Sequence, residues 1–151
     1  MFWIGIAEMV GITSGLLTGR EIIAFAKMTI HKPPLYPNPL IFPLVWTIIY
    51  ALMGISITRI FSKEPSGDRF LSIVLYFIQL VFNFIWCFIF FEGRNFGVAL
   101  FWIFALLILV LMMTTTFDSV DKWAARLQTP YIIWLLFAAY LNAGIWLMNP
   151  T

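Results

Sequence analysis

Residues 70–91 read FLSIVLYFIQLVFNFIWCFIFF and contain no charged side chain. About 20 residues of this kind, wound into a helix, cross the hydrocarbon core of a lipid bilayer. Stretches of similar length with at most one charge are found at residues 2–19, 33–58, 95–117 and 127–151. The sequence therefore predicts an all-α integral membrane protein, in which residues 1–151 form one domain with five transmembrane helices.

The composition supports this prediction and excludes other classes of protein. Hydrophobic residues make up 62% of the chain and charged residues only 11%, whereas about a quarter of a soluble domain is charged. The formal net charge of +2 is too small for the basic surface that nucleic-acid binding requires. The single cysteine, Cys87, excludes a disulfide framework and a cysteine-based metal site, so we expect no metal and no bound cofactor.

The connector between the first two predicted spans, residues 27–43, contains five prolines and the single histidine of the chain, His31. Proline cannot continue a helix and stiffens the chain around it. We expect a proline-rich loop between the first and second helices, which serves either as a linker or as a lid over a site. In the second case His31, with Lys27, Lys32 or Arg20, would lie at the mouth, where cations meet the carboxylates of a ligand.

Small residues recur at steps of four along the first predicted span, at Ala7, Gly11, Gly15 and Gly19. This spacing puts them on one helix face, and small side chains let two helix backbones approach closely in lipid. The face is predicted to pack against a neighbouring helix, either within the bundle or in a second subunit. Glu8, the acidic residue of this span, is expected to reach the membrane interface.

Three other spans each present one face that combines large aromatic side chains with hydrogen-bonding groups. The faces consist of Phe42, Trp46, Ile49, Tyr50 and Met53; of Gln79, Asn83, Trp86 and Phe90; and of Trp134, Ala138, Leu141, Asn142 and Ile145. Two interpretations compete. In one, the polar groups bond between helices while the rings fill volume; in the other, the faces line a cavity for a flat aromatic ligand.

Three blocks of sequence resemble the TspO/MBR family, also called translocator protein or tryptophan-rich sensory protein. They are KPPLYPNPLIFPLVWTIIYALMG at residues 32–54, QLVFNFIWCFIFF at residues 79–91 and PYIIWLLFAAYLNAGIWLMN at residues 130–149. In order, they are similar to the proline-rich loop with the second helix, to the third helix and to the fifth helix of that family. The loop departs from the family's pattern, because Leu35 stands in place of a tryptophan and Asn38 separates a pair of prolines.

The resemblance implies a function and a set of site residues. Members of the family bind tetrapyrroles such as protoporphyrin IX, and benzodiazepine- and isoquinoline-type ligands, in a cavity within a five-helix bundle. By resemblance, the ligand-binding residues of this chain are Trp46, Tyr50, Asn83, Trp134, Ala138 and Asn142. All six lie on the three mixed faces, so we favour the cavity interpretation and expect a receptor-like protein that senses or scavenges porphyrin.

Two other functions stay open. In some bacterial members a pair of tryptophans supports light- and oxygen-dependent breakdown of protoporphyrin IX, and the matching catalytic residues are Trp46 and Trp134. Such an enzyme would be slow, because no span holds an acid–base pair or a metal-ligand cluster and the bound porphyrin must supply the chemistry. The third hypothesis is a porphyrin or sterol transporter, although the spans contain no inverted repeat. The resemblance further implies a multi-pass protein of the bacterial cell membrane, surrounded by lipid, that pairs as a homodimer.

Overall fold

The fold is known from a computed structural model, which describes residues 5, 8, 9, 11–13, 20, 25, 31–38 and 41–149. All regular elements in this part of the chain are helical. They are α1 (Ile41–Phe61), α2 (Gly67–Cys87) with a π-helical turn (Phe88–Glu92), α3 (Phe96–Val120), α4 (Lys122–Arg126) and α5 (Thr129–Met148). Four helical segments are long and apolar enough to cross a membrane: α1, α2 with its π turn, α3, and α4 together with α5. The all-α membrane class is therefore confirmed.

The predicted first span lies largely outside the described residues. Its described members, residues 5, 8, 9 and 11–13, are helical. Of its small-residue ladder only Gly11 is described, and a Cβ atom there would overlap the ring of Tyr50 on α1. At this one position, close approach to a neighbouring helix accounts for the glycine.

The loop that precedes α1 ends at an earlier residue than the sequence predicts. Residues 31–38 contain no helix, but α1 begins at Ile41, whose N–H donates to the carbonyl of Asn38 at 2.9 Å. Pro43 therefore lies in the first turn of α1 rather than in the loop. The first turn tolerates proline because its N–H groups have no partner within the helix. Lys27 and Pro39 lie outside the described residues.

The outer surface of the bundle is apolar. Phe101 on α3 is 74% exposed and Leu147 on α5 is 75% exposed, and large apolar side chains such as Phe70 and Ile133 are exposed in the same way. An apolar surface of this extent is unfavourable in water but is solvated by the hydrocarbon core of a bilayer. The described helices thus present to their surroundings an apolar surface suited to lipid.

Helix α3 forms the centre of the described bundle, with α2 on one side and α5 on the other. Its inner face, which includes Val110, Met113 and Phe117, is fully buried. The pairing with α2 is reinforced where the indole N–H of Trp102 donates to the carbonyl of Phe82 at 2.9 Å and the two rings stack at 4.6 Å. A rigid α2–α3 pair therefore positions the aromatic residues that follow on α2.

A buried carboxylate, that of Asp121, joins α1, α3 and α4 at the C-terminal end of α1. Asp121 accepts from the guanidinium of Arg59 at 2.9 Å and pairs with Lys63 at 2.9 Å, and its Oδ1 caps α4 by accepting from the N–H groups of Trp123 and Ala124. Burial raises the pKa of this carboxyl, but hydrogen bonds from Lys63, Arg59 and the Ala124 backbone outweigh it and hold the pKa well below its usual range. Asp121 is therefore charged at neutral pH.

Candidate functional site

An internal cavity of about 450 Å³ lies between α1, the end of α2, and α5. The loop of residues 31–38 and some residues of the predicted first span complete its wall. Its lining is Glu8, Gly11, Ile12, Phe25, Tyr36, Phe42, Pro43, Trp46, Thr47, Tyr50, Trp86, Cys87, Phe90, Phe91, Trp134, Ala138, Leu141, Asn142 and Ile145. The volume falls within the range of about 300–1,000 Å³ that is typical of small-molecule pockets.

Five of the six predicted ligand-binding residues line this cavity. Trp46 and Tyr50 face it from α1, one helical turn apart, and Trp134, Ala138 and Asn142 face it from successive turns of α5. Because residues four apart lie on the same side of a helix, each set forms one continuous wall. The periodicity in the sequence thus brings these side chains together in space.

Asn83, the sixth predicted residue, is buried behind the cavity wall and does not line it. Its Oδ1 accepts from the hydroxyl of Tyr50 at 2.7 Å, and its Nδ2 donates to the hydroxyl of Tyr131 at 3.1 Å. The Tyr131 hydroxyl in turn donates to Oε1 of Gln79 at 2.9 Å. Asn83 therefore belongs to a hydrogen-bonded chain that links α1, α2 and α5 and supports Tyr50 from behind.

The walls of the cavity are mostly aromatic rings that contact one another. On α1, Trp46 stacks on Tyr50 with centroids 5.4 Å apart, and the edge of its ring system meets Trp134 of α5 at 6.5 Å. On α2, Trp86 stacks on Phe90 at 5.0 Å. Flat rings held in fixed orientations suit a flat apolar ligand, because they offer stacking area with little entropy left to lose.

Three buried polar atoms at this cavity have no hydrogen-bond partner among the described residues. They are the indole N–H groups of Trp86 and Trp134 and the Oδ1 atom of Asn142. The other end of the Asn142 amide is fixed, because its Nδ2 donates to the carbonyl of Phe96 at 2.7 Å. Each of these atoms is itself buried beneath the cavity surface, and the same is true of unpaired polar atoms away from the cavity, such as the hydroxyl of Tyr76, so they do not by themselves mark a ligand site.

The loop of residues 31–38 is fastened to α5 by polar contacts. The backbone of His31 exchanges two hydrogen bonds with the side chain of Asn149, at 2.9 and 2.8 Å, and the hydroxyl of Tyr140 donates to the carbonyl of Pro34 at 2.7 Å. Pro33 packs on Gly144, where a Cβ atom would come within 2.6 Å of the proline ring. These contacts hold the loop against the half of α5 that carries Asn142.

One side chain of this loop, Tyr36, reaches into the cavity wall. It contacts the ring of Phe42 at 6.0 Å, and Nζ of Lys32 lies 5.0 Å from its centroid. Burial raises the pKa of the Tyr36 hydroxyl, so the ring enters the wall uncharged. Lys32 is thereby held beside a cavity-lining ring and supplies a cation close to the cavity.

Leu35, at the position where the family's pattern has tryptophan, points away from this arrangement. Its side chain is 79% exposed, and its backbone adopts the left-handed conformation with φ of 67°. A leucine in that region is strained by about 1 kcal/mol, since its Cβ crowds the following carbonyl. The turn at Pro34–Leu35 thus exposes an apolar side chain and turns the next one, Tyr36, towards the cavity.

Several lining residues were not assigned to the site from the sequence. Trp86 and Phe90 share the predicted face of Asn83, and helical spacing could have identified them. Phe25 and Tyr36 come from parts of the chain without a regular period, so no sequence signal marks them. Glu8, which is expected at the membrane interface, also lines the cavity. Among the described residues, no group of three or more His, Cys, Asp or Glu side chains could hold a metal ion.

The fold and cavity define a multi-pass helical membrane protein with an aromatic-walled cavity. Comparison with known proteins identifies the family within this class. The sequence model of the TspO/MBR family matches residues 3–147, which is nearly the whole chain. The chain belongs to the TspO/MBR family.

Proteins similar in sequence to this chain occur in bacteria and animals. The tryptophan-rich protein TspO of Chlorobaculum tepidum is 31% identical over 97% of this chain and 93% of its own length. The tryptophan-rich sensory protein of Cereibacter sphaeroides is 34% identical over 75% of this chain and 70% of its own. The human translocator protein is 32% identical over 80% of this chain and 72% of its own. This protein is thus related to translocator and sensory proteins of the membrane.

Proposed function

We propose that this protein binds a flat tetrapyrrole, of the type of protoporphyrin IX, in the cavity between α1, α2 and α5. The observation that carries the proposal is a cavity of about 450 Å³ with walls of stacked aromatic rings, where five of the six residues that match the family's ligand-binding positions lie together. Rings in a close-packed core leave no such space, whereas these rings enclose a volume suited to a small molecule. The cation of Lys32 near the wall favours a ligand that has an apolar face and a carboxylate at its edge.

The geometry suggests how each group would act. Trp46 and Tyr50 would stack on the macrocycle, and the ring of Trp134 would pack against its edge. Lys32, held beside Tyr36, would pair with a propionate carboxylate near the loop. Asn83 would not contact the ligand; it would fix the orientation of the Tyr50 ring by accepting a hydrogen bond from the Tyr50 hydroxyl.

We further propose that the chain before Ile41 supplies the fifth transmembrane helix and that the proline-rich loop is the lid of the site. The contacts of Glu8, Gly11 and Phe25 with the cavity, and the fastening of residues 31–38 to α5, support this arrangement. From the resemblance to the family we expect a receptor of the bacterial cell membrane, assembled as a homodimer, that senses or scavenges porphyrin. Benzodiazepine- and isoquinoline-type ligands are expected to compete for the cavity.

The test is titration of the purified protein in detergent with protoporphyrin IX in the dark. Binding should quench tryptophan fluorescence in the parent, and the Trp134→Phe variant should bind more weakly. The dimethyl ester of protoporphyrin IX, which lacks both carboxylates, should bind more weakly to the parent but show less dependence on Lys32. Failure of the parent to bind either compound would overturn the proposal.

Breakdown of the bound porphyrin in light is a second candidate function. The observation that favours it is the edge contact of Trp46 and Trp134, 6.5 Å apart, in the wall where the macrocycle would lie. The ligand would absorb the light, and the two indoles would act as its redox partners. Illumination in air should then bleach bound porphyrin faster than free porphyrin, and Trp46→Phe should remove the difference. Porphyrin flux into vesicles that contain the protein would instead indicate transport.

A further inference from the structure

Outside the cavity, a shallow groove lies between α1 and α5 on the surface that faces lipid. Its walls are apolar and include Val45 and Ile48 from α1 and Pro130, Ile133 and Phe137 from α5. Ile48 and Ile133 are more than half exposed, so the groove is open along its length. The surrounding hydrocarbon can therefore enter it directly.

One end of this groove carries a cation. Arg126 borders it with the carbon atoms of its side chain, is exposed, and lies on α4, the short helix that begins next to Asp121. Its guanidinium stacks on the ring of Trp123 at 5.1 Å, an aromatic side chain of the kind found at the membrane interface. The buried carboxylate of Asp121 is already paired with Arg59 and Lys63. The groove thus combines an apolar channel with a positive charge at its interfacial end.

The length of the channel matches one leaflet of a bilayer. From Thr129 to Phe137 the axis of α5 advances by about 12 Å at 1.5 Å per residue. Half of the hydrocarbon core measures about 15 Å. An acyl chain lying along α5 would therefore run from the level of Arg126 to the middle of the membrane.

We propose that this groove is a binding site for an anionic phospholipid, whose phosphate pairs with Arg126 and whose acyl chain lies between α1 and α5. The proposal is separate from ligand binding in the internal cavity. Charge complementarity selects an anionic lipid over a zwitterionic one, because a guanidinium near the interface attracts negative headgroups. The apolar walls do not distinguish one type of acyl chain from another.

The chain offers a matched control for the charge. Lys122 is exposed on the same short helix, four residues before Arg126, but it does not line the groove. Replacing either residue by glutamine removes one positive charge from the same region. A general attraction of anionic lipid to this end of the protein would respond equally to both changes, whereas a site at Arg126 would respond to one.

The experiment uses the full chain in phosphatidylcholine vesicles that contain a minor fraction of phospholipid brominated midway along its acyl chains. Bromine quenches nearby tryptophan, and Trp134 forms part of the groove wall. The quenching ratio of brominated phosphatidylglycerol to brominated phosphatidylcholine is measured in the parent, in Arg126→Gln and in Lys122→Gln. In the parent this ratio should indicate a preference of about fivefold for the anionic lipid, the effect of one cation near the surface. Arg126→Gln should lower it close to one, and Lys122→Gln should leave most of it.

Each other outcome overturns the proposal. A parent ratio near one shows that the groove does not distinguish headgroups, and equal losses in the two variants show that only the general surface potential acts. The Trp134→Phe variant tests whether an acyl chain lies in the groove. If it does, bromine quenches Trp134 in the parent, so the variant should lose part of the quenching in vesicles with either lipid. If Trp134 contributes no quenching, lipid does not occupy the groove, and a second copy of the chain becomes the occupant to test. The comparison of Arg126 with Lys122 decides the question even if Trp134→Phe does not fold.

Discussion

The hydroxyl of Tyr50 donates a hydrogen bond of 2.7 Å to Oδ1 of Asn83, so a ring in the cavity wall is oriented by an amide that lies outside the cavity. The same ring stacks on Trp46 at 5.4 Å. A polar residue in the interior of the membrane thereby sets the orientation of an aromatic pair without facing the cavity itself. This relationship separates residues that would touch a ligand from residues that position those contacts.

Replacing Asn83 by leucine should destabilise the protein by about 1–2 kcal/mol, because the buried hydroxyls of Tyr50 and Tyr131 lose a partner. The measurement is thermal unfolding in detergent without ligand. Combining the change with Tyr50→Phe should cost less than the sum of the two single changes, since both remove the same bond. Additive losses, or an unchanged melting temperature for Asn83→Leu, would show that the bond contributes little.

Trp134→Phe should weaken protoporphyrin IX binding by about 1–3 kcal/mol, through loss of aromatic contact area in the cavity wall. Trp123→Phe is the control, because Trp123 is 61% exposed and does not line the cavity. Dark titration by fluorescence gives both dissociation constants. A cavity site predicts a large effect at the first position and almost none at the second; equal effects contradict it.

Gly144→Ala should loosen the proline-rich loop, because the added methyl group would come within 2.6 Å of the ring of Pro33, which cannot rotate away. Gly67→Ala is a fair comparison, since nothing lies within 4 Å of a Cβ atom at that position. Hydrogen–deuterium exchange at His31 reports the effect, because its N–H donates to Asn149. Exchange should accelerate in Gly144→Ala alone, and ligand should slow it in the parent.

The stability contributed by the charge of Asp121 should depend on pH. Its pKa lies below the unfolded value of about 3.9, so the contribution is fully present above that value and is lost as pH falls towards the folded pKa. Asp121→Asn keeps a capping oxygen but removes the charge, and should lower the melting temperature at pH 7. The gap between the variant and the parent should narrow below about pH 4. Asp118→Asn, at an exposed position of α3, should show neither effect.

The sequence predicted which helix faces form the cavity walls, but it did not predict how far the cavity extends along α2 or how the loop of residues 31–38 packs on α5. Helical spacing brought Trp134, Ala138 and Asn142 onto one face, and they do form one wall. Spacing alone does not say how far along a helix a cavity extends, so Asn83 and Trp86 looked equivalent although only Trp86 lines it. Asn83 lies one turn farther from the end of α2, where its amide is held by hydrogen bonds with Tyr50 and Tyr131, and no periodic signal reveals those partners.

The boundary of the loop shows a second limit. Pro43 suggested an irregular chain, but proline suits the first turn of a helix as well as it suits a loop. The contacts that close the loop on α5 join residues more than 100 positions apart, such as Pro34 and Tyr140. No periodic pattern encodes such pairs, because each depends on where two distant segments meet in space.

Trp134 forms part of the wall of both the internal cavity and the outer groove. One indole ring therefore lies between the cavity and the lipid-facing groove, so a change in its rotamer would alter the size of both spaces at once. An occupant of either space that favours one rotamer changes the free energy of filling the other. Thermodynamic linkage makes this effect reciprocal: the factor by which lipid changes affinity in the cavity equals the factor by which a cavity ligand changes affinity for lipid. The affinity of the cavity is then a property of the membrane in which it is measured.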